Sequence, residues 1–122
     1  MDTTPKAIPK AYAIAYLRDV DFGEEIIDYI QRIDETMAPY GGRFLVHGGE
    51  LTPAEGTWDG DLVIIEFPDS SSARAWYDSP GYQAILPLRT EHSHSIACIV
   101  EGVAPGYRAV DKLAALMGTA DS

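Results

Sequence analysis

The chain has 122 residues, enough for one domain whose core needs neither disulfides nor a structural metal. Its 19 Asp and Glu against 9 Lys and Arg give a net charge of −10, which argues against nucleic acid and anionic membrane surfaces as partners, since both select basic patches. The single cysteine, Cys98, excludes an intrachain disulfide framework.

No run approaches the ~18 apolar residues of a membrane span. The start, Met1 to Pro5, lacks the basic and apolar regions of a signal peptide, so a cytoplasmic location is expected. Residues 1–10 hold two prolines and no periodic pattern, and read as a flexible arm. From Ala11 to Leu17, Tyr12, Ile14 and Tyr16 alternate with small residues, the period of a strand. Asp21, with Glu24 three residues on, offers a helix N-cap. Ile26, Ile30, Ile33 and Met37 then form one apolar helical stripe, which Pro39 and Gly41-Gly42 end.

Arg43 to His47 reads as a second strand, and residues 50–60, with Pro53, Gly56 and Gly60, as a loop. Leu62 to Phe67 is a third strand, apolar on both faces except at Glu66. Asp69 or Ser70 caps a short helix with Ala73, Trp76 and Tyr77 facing inward. Ser79-Pro80 restarts it, and Tyr82, Ile85, Leu86 and Arg89 share one face. Pro87 is expected to kink or end that helix. Ser95 to Glu101 is a fourth strand, and Val110, Leu113, Leu116 and Met117 mark a short amphipathic helix within a C-terminal extension over 104–122.

The order β-α-β-β-α-β over residues 11–103 is that of the ferredoxin-like α+β fold: a four-stranded antiparallel sheet with helices on one face. Both sides of the sheet carry apolar residues, so its uncovered face predicts a homodimer packed sheet to sheet, a dimeric α/β barrel.

Several stretches carry a family likeness: Tyr40 to Gly49, Val63 to Pro68, Ala73 to Tyr82, Leu86-Pro87-Leu88-Arg89, and Val100-Glu101-Gly102. In this order they resemble a bacterial domain-of-unknown-function family of the dimeric α/β-barrel superfamily. The resemblance implies a dimer with a cavity, either between sheet and helices or between the two sheets. Relatives in that superfamily include cofactor-free monooxygenases, lactone isomerases, polyketide cyclases and stress-response proteins, so the resemblance implies a fold and no single reaction. Glu91 to His94 and the tail from Ala104 stand outside the shared pattern.

Strand alternation places Arg43 and His47 together on the face away from the helices, with Phe44 and Val46 toward them. His47 is then a candidate general base beside an Arg able to hold a carboxylate or enolate. Glu66, alone in an apolar strand, is a candidate substrate contact or the partner of Arg43 or Arg89 in a structural ion pair. Tyr40 and Tyr82 are expected to line a pocket, Trp76 to sit in the core, and Arg89 to bind an anion or an acidic surface. Cys98, in an apolar run, reads as a buried core thiol, and Glu91 to His94 as a solvated loop rather than a metal site.

No nucleotide loop or triad spacing is present, and no cofactor or metal is assigned. These features suggest a cofactor-independent enzyme, moving a proton or acting as an isomerase, cyclase or monooxygenase, on a small carboxylated or enolisable metabolite. The alternative is a non-catalytic small-molecule-binding or stress-related dimer. In a third reading the dimer is purely structural, with the C-terminal helix clasping the partner.

Overall fold

The computed structural model of the chain describes residues 8–118. Of the arm expected over 1–10, residues 1–7 lie outside the described residues, as do the last four of the extension. Four strands, β1 (Ala11–Arg18), β2 (Arg43–His47), β3 (Asp61–Phe67) and β4 (His94–Glu101), form one antiparallel sheet in the order β2-β3-β1-β4. The helices are α1 (Glu24–Met37), α2 (Ser70–Asp78), α3 (Pro80–Thr90) and α4 (Asp111–Leu116). This is the expected ferredoxin-like α+β architecture. No helix among the described residues is long and apolar enough to cross a membrane.

Local chemistry explains most boundaries. Asp69 caps α2 by accepting from the Ser72 amide at 2.8 Å. Ser79 Oγ accepts from the Tyr82 amide at 3.2 Å, with Pro80 as the first residue of α3. The expected cap at Asp21 is not formed: α1 starts from Gly23 with no side-chain cap, and Glu24 and Glu25 complement the positive end of the helix. Asp21 instead donates its amide to the His92 carbonyl, 2.8 Å away. Pro87 does not end α3, which continues to Thr90.

The core is Ala11, Ile33, Met37, Ile65, Phe67, Ala73, Trp76, Tyr82 and Ile85. After α1 a 3₁₀ turn (Ala38–Tyr40) leads into Gly41, whose φ of 74° suits glycine. At Gly42 the requirement is space: an added Cβ would stand 2.6 Å from Phe67 Cε1 and 2.9 Å from Cζ. Gly42→Ala is therefore expected to destabilise the fold by ~1–3 kcal/mol through overpacking, measurable by urea denaturation.

The sheet has two distinct faces. Ala11, Ala13 and Ala15 of β1 face the helices, while Tyr12, Ile14 and Tyr16 face away, joined through the register by Leu62, Ile64, Ile96 and Val100. Trp58 meets Tyr16 edge-on at 5.7 Å, so the loop before β3 shields one corner of this outer face. The rest is open: Ile96 is 74% exposed and Val100 is 46% exposed. Cys98 belongs to this face and is exposed, correcting the expected core thiol. Its apolar neighbours in sequence alternate between the helix side and the outer side, and Cys98 falls on the outer one.

Glu66 also lies on the outer face. Its Oε1 accepts from Arg43 Nε at 2.8 Å and from Lys10 Nζ at 3.3 Å. The Arg43 hydrogen bond holds this carboxyl below the usual glutamate range; desolvation opposes the shift and Lys10 reinforces it. A depressed pKa contributes stability above the unfolded-state value, which is lost as pH falls through the folded-state value. Glu66→Gln should be less stable than the wild type at neutral pH, and the gap should close on acidification below about pH 4.3. Denaturation midpoints at several pH values check this.

Candidate functional site

The helix-facing side of the sheet does not pack solid. Alanines at 13, 15 and 97 are too short to reach the helices, and a cavity of about 630 Å³ lies between sheet and helices within a single chain. Ile26, Ile30 and Ile33 of α1 form its roof, and Trp76 and Tyr77 of α2 contribute aromatic wall. Phe22, His47 and Asp61, all exposed, mark its mouth. Its volume falls within the range typical of small-molecule sites, about 300–1,000 Å³.

One polar cluster stands in this apolar lining. Tyr29 and Tyr82 share a short hydroxyl–hydroxyl bond of 2.6 Å. Arg89, only 5% exposed, donates Nη1 to Ser95 Oγ at 2.6 Å and reaches Tyr29 Oη at 3.3 Å and Tyr82 Oη at 3.5 Å. Its guanidinium lies 5.9 Å from the Tyr29 ring centroid. Every one of these partners is neutral. Among the described residues no carboxylate forms an ion pair with Arg89.

Burial pushes the Tyr29 hydroxyl well above its ordinary pKa, as does its tyrosine neighbour, with Arg89 opposing, so Tyr29 is a neutral donor at physiological pH. Burial opposes the charge on Arg89, but the two tyrosines more than offset it and its pKa lies above the usual arginine value. The cluster therefore carries one net positive charge. A guanidinium has five N–H groups, and two tyrosine hydroxyls supply two more protons, one of which the pair shares internally. The remaining donors suit an oxygen acceptor bearing negative charge.

Among the residues expected at a site, His47, Tyr82 and Arg89 line this one cavity. Arg43, Glu66 and Tyr40 do not. Arg43 and Glu66 are an ion pair on the outer face, and Tyr40 packs half-buried against the core from the 3₁₀ turn. The expected grouping of Arg43 with His47 is corrected by the register of β2. Phe44 opposes Ile65 and Val46 opposes Ile64, leaving Leu45 as an extra bulged residue. The bulge inverts the alternation, so His47 turns to the helix side and stacks on Phe44, with ring centroids 4.4 Å apart.

The two other histidines point elsewhere. His92 Nδ1 donates to the Leu88 carbonyl at 3.1 Å, and His94 Nδ1 lies 2.9 Å from Asp19 at the start of β4. The sequence reading missed Tyr29 and Ser95. The sign available was the set of alanines facing the helices on β1, which marks where the sheet leaves room.

A family model described as a domain of unknown function (DUF1330) matches residues 10–103. The chain belongs to the DUF1330 family. A comparison with curated proteins gives no match. Among solved structures, RPA0582, a protein of unknown function from Rhodopseudomonas palustris, aligns with a TM-score of 0.56 at 16% identity over 82% of this chain and 87% of that one. A dimeric ferredoxin-like protein of unknown function from Thermobifida fusca aligns with a TM-score of 0.54 at 18% identity, over 84% of this chain and 99% of that one. SnoaB, a cofactor-independent oxygenase from Streptomyces nogalater, aligns with a TM-score of 0.53 at 15% identity, over 82% and 99% of the respective chains. At these identities the likeness of this DUF1330 chain to them is one of fold.

Proposed function

We propose that this DUF1330 protein is a homodimer in which each subunit binds a small metabolite through a carboxylate or enolate oxygen, with Arg89, Tyr29 and Tyr82 as the receptor. The observation that carries the reading is a buried guanidinium facing an open apolar cavity with only neutral partners. Such a charge is costly to bury, and an incoming anion supplies the missing counter-charge. Dimerisation through the outer face leaves the cavity intact, because the two lie on opposite sides of the sheet.

A second reading, catalysis without a cofactor, is favoured by the position of His47 on the same cavity. An imidazole there has the chemistry to take or return a proton at the end of the ligand nearest the mouth. Calorimetric titration of small carboxylates into the wild type and Arg89→Met tests the primary reading. Equal binding to both would overturn it. Product formation on long incubation, lost in His47→Gln, would establish the catalytic one.

A further inference from the structure

The geometry points to an elongated, apolar monocarboxylate as the ligand class, lying across the strands with its carboxylate on Arg89 and its far end beside His47. This rests on the reading of Arg89 as the anion site. Arg89 is tied to Ser95 on β4, one edge of the sheet, and His47 stands on β2, the other edge. Three inter-strand spacings of ~4.8 Å separate those edges, on the order of 14 Å from backbone to backbone.

The register defines the track between them. Ala97, Ala15, Val63 and His47 oppose one another in a single row across the sheet. The two alanines form the low floor, and the α1 isoleucines form the roof. No charged side chain of the lining stands between the Arg89 cluster and the mouth, so the body that fits there is apolar. At the mouth the lining carboxylate is Asp61, which disfavours a second negative charge at that end. A monoanion fits and a dicarboxylate of equal length does not.

The test is a calorimetric series of straight-chain acids from acetate to decanoate on the unmodified protein. Affinity should rise about fourfold per added methylene over the middle of the series, the increment for removing one such group from water. The His47 ring signals, followed by NMR, should move with octanoate and decanoate and stay still with butanoate. Decanedioate should bind more weakly than decanoate. Ala15→Leu, which raises the floor, should reduce octanoate to the affinity of butanoate.

Short and long acids binding alike, or a His47 signal indifferent to the long ones, would overturn the crosswise placement while leaving the Arg89 anion site standing. Decanedioate binding as tightly as decanoate would overturn the monoanion class. Failure of every acid to bind would remove the Arg89 reading and this inference with it.

Discussion

Arg89→Met is expected to abolish carboxylate binding while leaving the fold as stable as the wild type, or more so. Methionine matches the length of the arginine stem and fills the same apolar channel, but brings no charge. Arg89 is nearly fully buried and its partners are a serine and two tyrosine hydroxyls. Removing a buried ion that has no carboxylate partner relieves its desolvation cost, which offsets the hydrogen bonds lost to neutral groups. In the complex the same change removes the counter-charge of the ligand, a loss of about 2–5 kcal/mol, or at least about thirtyfold in affinity. Arg89→Lys should fall between the two, retaining charge but losing the planar fork that addresses a carboxylate and the tyrosine pair together. Thermal melts beside calorimetry separate the possibilities. A large drop in melting temperature would make Arg89 a structural residue, and undiminished acid binding would remove it from the site.

Ile96→Glu is expected to convert the protein to a folded monomer. Ile96 is 74% exposed in the single chain, so a glutamate there faces water until a second subunit arrives. Pairing two outer faces would bury it, and two-fold symmetry doubles the effect of each substitution. Losing ~1.5–3 kcal/mol of apolar burial per isoleucine, before counting the cost of two desolvated carboxylates, weakens association by at least about a hundredfold. Sedimentation velocity across a concentration series reads this directly, with circular dichroism to confirm the fold. A mutant that sediments as a dimer at the wild-type concentration would show that another surface carries the contact.

The elements and their order were legible because each carries its own chemistry: alternation in Tyr12-Ala13-Ile14-Ala15-Tyr16, a capping Asp69, and Ser79-Pro80 at the start of α3. The site was half legible. Tyr82 and Arg89 are seven residues apart on one helix, a spacing that sequence alone converts into a shared face. His47 defeated the same logic because one bulged residue inverts a strand, and Leu45 is no glycine to announce it. Tyr29 was hidden because its meaning is a contact with Tyr82, 53 positions away, and no local pattern encodes a partner at that distance. Cys98 was misplaced since in an apolar strand the choice of face depends on parity alone, and the residues around it are apolar on both sides. Pro87 stayed within α3, where tertiary packing of Ile85 and Arg89 overrides the local tendency to break.

The strict alternation along β1 separates two jobs onto odd and even positions of one eight-residue segment. Odd positions set the headroom of the chamber, and even positions present the outer face through which dimerisation is proposed. An Ala→Val step at 13 or 15 would shrink what the chamber admits without touching the outer face, and a change at Tyr12 would retune that face without altering admission. The two faces can therefore drift independently under mutation, one residue apart in the chain.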